Sequence, residues 1–345
     1  MQTHVIATKG ARHWQGIPGI ERAPNGRLWC TFYSGGPREP HPDNRVLLTT
    51  SADDGQTWSA PEVAVAFEGA ARAYDPTLWH DPSGRLWLIY NRANRESRDF
   101  SVWAMTTEAS GAAAPAWSAP TRIDLDVPFA FRMNKPAVLS DGTWVLPVTW
   151  SSARPDGWFD RGSERQGVAR STDGGAHWTL HGAVEAPAWA LESMVVERRD
   201  GVLWMLIRTG AGVLWESLST DGGHHWTEGA PTRIVNPGTR FFIRRLNAGR
   251  LLLINTFHPT RRRGLHACLR DPGGGRRFAR CLTLDDREPV SYPDAVQAPD
   301  GQIYAVHDYD RRGSGEIVLS VFAESEILGG ELGTPGTLND PSRSL

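Results

Sequence analysis

The segments Pro24-Asn-Gly-Arg-Leu-Trp29 and Pro82-Ser-Gly-Arg-Leu-Trp87 are nearly identical and lie 58 residues apart. Looser copies follow at Ser140-Asp-Gly-Thr-Trp144, Arg199-Asp-Gly-Val-Leu-Trp204, Asn247-Ala-Gly-Arg-Leu251 and Pro299-Asp-Gly-Gln-Ile-Tyr304. A period of roughly 40 to 60 residues marks an array or a propeller. Each copy is a turn followed by an apolar run, and its glycine supplies the positive φ of a tight hairpin. The turn glycines Gly26, Gly84, Gly142, Gly201, Gly249 and Gly301 are spaced by 58, 58, 59, 48 and 52 residues. Six evenly spaced hairpins predict six repeated antiparallel units.

A second repeat runs out of phase with the first: Ser51-Ala-Asp-Asp-Gly-Gln-Thr-Trp58, Ser171-Thr-Asp-Gly-Gly-Ala-His-Trp178 and Ser219-Thr-Asp-Gly-Gly-His-His-Trp226. All three fit S-x-D-x-G-x-x-W, with degenerate relatives at Thr107 to Trp117 and Asp271 to Phe278. Ser and Asp accept backbone hydrogen bonds in such a turn, Gly takes the strained position, and Trp packs beneath it. Thr3 to Ala7 is an isolated strand-like run that can pair with the last strand, Glu316 to Ala323, protecting an exposed edge. After Glu326 the chain is poor in core formers and is expected to be a loose tail.

Composition narrows the function classes. The 37 basic and 39 acidic residues show no long run of one sign, which argues against nucleic acid or an anionic membrane as partner. Cys30, Cys268 and Cys281 are too few for a disulfide scaffold and lack metal-ligand spacing, so they are expected to be reduced core residues. No stretch has signal-peptide or membrane-span character, and a cytoplasmic location is the expectation. Gly273-Gly-Gly275 lacks the context of a phosphate loop, so no cofactor is expected, and no residues are assigned to a metal.

The three full motifs, in register with six hairpins, make the chain resemble the Asp-box (BNR-repeat) propellers of the sialidase superfamily, over nearly its whole length. The resemblance implies an all-β, six-bladed β-propeller with Asp-box hairpins over residues 1–325, followed by a tail at 326–345. A propeller scaffold hosts many functions, so the chemistry must be argued from the site.

Propeller ligands bind at the mouth of the central channel, which in each repeat means the segment before the Gly turn and the strand after it. In the fourth repeat, Glu192 and Arg208 flank a hairpin and can emerge at the same end of it. A hairpin salt bridge would use the same pair. By resemblance, Glu192 activates a tyrosine and Arg208 grips a substrate carboxylate. Tyr292, in Val290-Ser-Tyr-Pro-Asp-Ala-Val296, matches the nucleophilic tyrosine of the family. A phenol suits an anionic substrate that would repel a carboxylate. The family uses three arginines as an anion clamp: Arg208 fits one and Arg263 another, with Arg240 and Arg244 competing. The first family arginine precedes an Ile-Pro pair, but here the chain reads Gln15-Gly-Ile-Pro18, with Gly16 in its place. Asp43 is the positional match for the general acid, with Glu39 and His41 as rivals. Asp75, Lys135 and His13 complete the candidate substrate-binding set, and interblade salt bridges are the competing role for such charges.

The leading functional expectation is an exo-acting glycoside hydrolase that cleaves a terminal acidic sugar of an oligosaccharide or glycoconjugate. The enzyme alternative is a uronate lyase of the rhamnosyl-glucuronate lyase type, in which cationic groups acidify the C5 proton for His13, His41 or Tyr292. The alternative from another class is a non-catalytic carbohydrate-binding propeller.

Overall fold

In the computed structural model, residues 1–332 are described apart from 95, 133, 154–162, 272–277 and 279, so most of the degenerate motif at 271–278 lies outside the described residues. Apart from one five-residue helix, the described elements are strands. β1 (Gln2–Ala7) is followed by β2 (Gln15–Arg22), β3 (Leu28–Ser34), β4 (Arg45–Ser51) and β5 (Glu62–Val65). Next come β6 (Ala71–His80), β7 (Leu86–Asn94), β8 (Asp99–Thr107), β9 (Thr121–Ile123) and β10 (Phe129–Phe131). Then follow β11 (Ala137–Val138), β12 (Trp144–Ser151), β13 (Arg165–Ser171) and β14 (Thr179–Val184). The fourth unit holds β15 (Ala190–Glu197), β16 (Leu203–Thr209), β17 (Val213–Ser219) and β18 (Ala230–Val235). The fifth holds β19 (Phe242–Arg245), β20 (Leu251–Thr256), β21 (Leu265–Arg270) and β22 (Arg280–Asp285). The sixth holds β23 (Val290–Gln297), β24 (Gln302–Tyr309) and β25 (Glu316–Ala323).

Each unit is an antiparallel meander. β10 pairs in parallel with β8 and antiparallel with β12, which joins the second and third meanders into one nine-stranded sheet. β1 pairs with β25, as the strand-like run at Thr3 to Ala7 leads one to expect, so the two ends of the chain share a sheet.

The hairpin glycines behave as one set. All six turn glycines have φ between 77° and 94°, a region that side-chain-bearing residues avoid. Each donates its N–H to the carbonyl three residues earlier, at 2.8 to 3.0 Å. The S-x-D-x-G-x-x-W turns are as regular. Ser51, Ser171 and Ser219 each accept the motif glycine's N–H at 2.9 Å and donate to the motif Asp. Trp58, Trp178 and Trp226 each donate Nε1–H to that glycine's carbonyl at 3.0 Å and pack on neighbouring core clusters.

In the first, second, fourth and sixth meanders burial falls from the first strand to the last. β2, β6, β15 and β23 are buried along almost their whole length, whereas β5, β9 and β18 are largely exposed. A strand buried on both faces is covered on both sides of its sheet. The first strands therefore lie in the interior, where residues from different meanders meet.

Two expectations are corrected here. Cys268 and Cys281 face each other across β21 and β22 and form a disulfide, so only Cys30 is a free core cysteine. The chain beyond 326 is packed rather than loose as far as it is described. α1 (Glu324–Leu328) buries Ile327, and β26 (Glu331–Leu332) pairs with β22. Residues 333–345 lie outside the described residues.

Candidate active site

Counting back nine residues from each turn glycine gives Ile17, Asp75, residue 133, Glu192, Arg240 and Tyr292. Four of these, Ile17, Asp75, Glu192 and Tyr292, have φ of 60°, 47°, 54° and 57°, which is uncommon for residues other than glycine. At each of the four, the pairing of the first and second strands shifts register. These are bulges, which re-aim a side chain and concentrate near functional sites. Their cost of about 1 to 3 kcal/mol each is held by bonds from other meanders. Asp308 Oδ2 accepts the Ile17 N–H at 2.8 Å, Arg132 donates to the Asp75 carbonyl at 2.8 Å, and Asn134 donates to the Glu192 carbonyl at 2.8 Å. Arg240 donates to the Pro18 carbonyl at 3.3 Å.

The bulges turn Glu192 and Tyr292 toward one another. The phenol donates to Glu192 Oε1 at 3.3 Å and accepts from Arg208 Nη1 at 2.9 Å. Arg208 Nη1 also donates to Glu192 Oε1, and its Nε is fixed by the Gly238 carbonyl at 2.9 Å. Cations crowd the tyrosine ring. Guanidinium carbons lie 5.6 Å (Arg208), 6.0 Å (Arg240), 5.4 Å (Arg262) and 4.0 Å (Arg311) from its centroid. Burial pushes the Tyr292 phenol up from its ordinary value; Glu192 adds to this, while Arg208, Arg262 and Arg311 oppose it. Burial also lowers Arg262, with like-charge repulsion from Arg311 and Arg208. Burial would lower Arg208 too, but Glu192 and Tyr292 outweigh it and hold the guanidinium charged.

The opening beside this cluster is a cleft of about 260 Å3, lined by Trp14, Glu39, Arg262, Ser291 and Arg311 among others. A larger cavity of about 450 Å3 lies between β1 and the Asp285 to Arg287 segment, away from Tyr292. Charged groups from separate meanders converge at the smaller opening. Buried Asp75 lies beside it in charge terms. Burial raises its carboxyl well above the ordinary range, and Glu39 and Glu192 push it the same way. Asp75 Oδ1, Glu192 Oε2, and Arg240 Nε and Nη1 are buried without a hydrogen-bond partner among the described residues. Such groups are costly unless a ligand or water satisfies them.

The expected site residues thus divide. Glu192, Arg208, Tyr292, Arg240 and Asp75 are gathered in one interior region. Arg263 is exposed, and its neighbour Arg262 faces Tyr292 instead. Asp43 is not in the cleft: its side chain is 63% exposed and lies 3.4 Å from His41, while its rival Glu39 lines the opening. His13 is exposed, and the buried Trp14 beside it lines the cleft. Lys135 is buried in an ion-pair network that joins separate meanders, with Asp294 at 3.2 Å and Glu21 at 3.4 Å. Arg244 bonds the Pro136 carbonyl and lines other cavities with Glu21 and His80. Arg262, Arg311 and Asp308 were missed. Arg262 sits beside the residue that was chosen, and the nine-residue offset was a signal for the bulged positions, but nothing local marked Arg311.

Solved structures resemble this chain at the level of the fold. The Hadza microbial sialidase Hz136 superposes with a TM-score of 0.79 at 18% identity, covering 94% of this chain and 69% of that one. The leech intramolecular trans-sialidase, complexed with 2,7-anhydro-Neu5Ac, gives 0.76 at 15% identity, covering 95% and 71%. A protein of unknown function from Dyadobacter fermentans gives 0.74 at 17% identity, covering 93% and 97%. No curated protein sequence matches significantly. The model of the BNR repeat-like domain family matches residues 26–305, and the chain belongs to that family.

Proposed function

We propose that the six meanders are the blades of a six-bladed β-propeller whose S-x-D-x-G-x-x-W turns are Asp-boxes, and that the chain is an exo-acting glycoside hydrolase for a terminal acidic sugar. The observation that carries this reading is the Glu192–Tyr292–Arg208 triad, in which a carboxylate, a phenol and a guanidinium bond one another inside a cationic shell. In the first step the Tyr292 oxygen bonds the anomeric carbon and passes its proton to Glu192. The bond to the leaving oxygen breaks, and that oxygen takes a proton. In the second step water bonds the anomeric carbon and gives its proton to the carboxylate that protonated the leaving group, the bond to the tyrosine oxygen breaks, and Glu192 returns its proton to that oxygen.

The proton for the leaving group is assigned to the Glu39 and Asp75 pair rather than to Asp43. Glu39 lines the opening, and burial together with Glu39's charge keeps Asp75 from ionising in the ordinary range. The lyase alternative loses its histidine bases, since His13 is exposed and His41 is engaged with Asp43, which leaves Tyr292.

The experiment is product analysis by mass spectrometry on a panel of sialosides and rhamnosyl-glucuronides. Release of a free acidic sugar by the wild type and not by Tyr292→Phe supports the hydrolase. An unsaturated uronate absorbing in the ultraviolet supports the lyase instead. Saturable binding without any product leaves the carbohydrate-binding reading.

A further inference from the structure

We propose that Arg311 is an arm of the anion clamp, delivered from the loop after β24, and that Gly16 is a glycine because the Arg311 side chain occupies the space above it. This rests on the reading of the site as one for an acidic sugar. The family pattern puts an arginine at position 16, immediately before Ile17-Pro18, and this chain has none there. The vacant side-chain position is filled from elsewhere. A Cβ on Gly16 would lie 2.9 Å from Arg311 Cδ, 3.0 Å from its Cγ and 2.9 Å from Asp308 Oδ2. Gly16 is not among the glycines with positive φ, so space rather than backbone conformation demands the glycine.

Arg311 is held as a site residue is held. Its Nε donates to Asp308 Oδ2 at 2.8 Å and its Nη2 to Ser291 Oγ at 3.2 Å, while Nη1 lies 3.6 Å from Glu39. The guanidinium lies over Tyr292 at 4.0 Å and reaches Trp14 at 5.9 Å. Asp308 is fully buried, and the oxygen that receives Arg311 also receives the Ile17 N–H at 2.8 Å. One carboxylate thereby fixes the cation to the segment from which the family arginine would project. The loop is tied down as well. Gln15 N–H donates to the Arg311 carbonyl at 3.2 Å, and the Gln15 side chain donates to the Gly315 carbonyl at 2.8 Å.

Arg208, Arg262 and Arg311 then surround Tyr292 from three separate chain segments. Arg208 is committed to Glu192, and Arg311 has Asp308 as well as Glu39, so a ligand carboxylate can replace Glu39 without leaving Arg311 unpaired. A guanidinium with a free edge offers a carboxylate two parallel hydrogen bonds, which an ammonium cannot.

The test is calorimetric titration of N-acetylneuraminic acid and of glucuronic acid into the wild type, Arg311→Ala, Arg311→Gln, Gly16→Arg and the double variant Gly16→Arg/Arg311→Ala. Arg311→Gln retains a donor for Asp308 and guards against misfolding. Arg311→Ala and Arg311→Gln should weaken binding about ten- to a hundredfold, as loss of a charge-assisted hydrogen bond does. Gly16→Arg alone should destabilise the protein through the clash. The double variant should regain most of the affinity, because Asp308 can pair with the arginine at position 16. If Arg208→Ala abolishes binding while Arg311→Gln binds like the wild type, Arg311 is not part of the clamp although the acidic-sugar site stands. A folded double variant without recovered affinity overturns the replacement of one arginine by the other. If the wild type binds neither acid, the acidic-sugar reading itself fails, and Arg311 fails with it.

Discussion

Glu192 and Tyr292, 100 residues apart in sequence, share a left-handed backbone with φ of 54° and 57° and are joined by a hydrogen bond of 3.3 Å. Each is the bulged residue of the first strand in its meander, and each stands nine residues before a turn glycine. The same local distortion, applied in two units, directs two different side chains at one point. That is how a repeated structural unit yields a site with no repetition in it.

If Tyr292 is the nucleophile, Tyr292→Phe should reduce turnover about a thousandfold or more, as loss of a nucleophile does. The ring remains between its guanidinium neighbours, so the melting temperature should change little. Steady-state kinetics beside a thermal melt checks both halves. Activity within a few-fold of wild type in a folded Tyr292→Phe would exclude covalent catalysis at this residue.

Lys135 serves the fold. Its ammonium joins Glu21 of β2 and Asp294 of β23, and it also donates to the Ile20 and Ala295 carbonyls. Burial would raise Glu21, but Lys135 and His80 outweigh it and bring the carboxyl down to about 2. Lys135→Met leaves two buried carboxylates without their cation and should destabilise by about 3 to 5 kcal/mol. Chemical denaturation measures this directly. A variant of normal stability that had lost only ligand affinity would return Lys135 to the substrate.

The hairpins and motif turns were legible because their cause is local: a glycine, a serine and an aspartate within a few residues fix the turn. Glu192, Arg208 and Tyr292 are legible from their place in the repeat together with the resemblance to the Asp-box family. Arg262 and Arg263 were not separable, because adjacent residues face opposite ways and the choice depends on long-range pairing. Here the Val290 N–H donates to the Arg262 carbonyl at 2.8 Å, a bond between segments far apart in sequence. Glu39 was confused with Asp43 because residues 35–44 are irregular and have no period to count. Arg311 lies outside the strand positions that the repeat numbers, and what gives it a role is its approach to Glu39, Trp14 and Gly16 of the first unit, which no spacing in its own repeat encodes. The pairing of Cys268 with Cys281 depends on the register of β21 against β22, which composition does not contain.

That disulfide closes a loop between sequence positions 13 apart at the outer edge of the fifth meander, next to β26. Closing a loop of this size is worth about 3 kcal/mol, chiefly by restricting the unfolded chain. The double variant Cys268→Ala/Cys281→Ala, or treatment with a reductant, should lower the unfolding free energy by about that amount. The bridge joins β21 to β22, whereas Tyr292 lies on β23 of another meander, so the kinetic constants at a temperature where both forms are folded should be equal. Identical denaturation curves with and without reductant would show that the bridge carries no stability.

The pH dependence of stability tests the environment assigned to Asp75. Burial, Glu39 and Glu192 all raise its carboxyl in the folded state, whereas the unfolded chain releases that proton near pH 4. Between those two values the folded state holds a proton that the unfolded state lacks. The contribution of Asp75 to stability is therefore fully present below about pH 4 and is lost as pH rises through the folded value. In that window the loss approaches about 1.4 kcal/mol per pH unit. Asn at position 75 keeps the shape of the neutral carboxyl and cannot ionise. The unfolding free energy of Asp75→Asn minus that of the wild type should accordingly grow more positive from pH 4 to pH 8. Taking the difference cancels groups with the opposite trend, such as Glu21, whose contribution is present above its unfolded value and lost as pH falls toward 2. Urea titrations at steps of one pH unit give the curve. A difference that stays flat across the range would mean that Asp75 ionises as it does in the unfolded chain, and the Glu39 and Asp75 pair could not then store the proton that the leaving group needs.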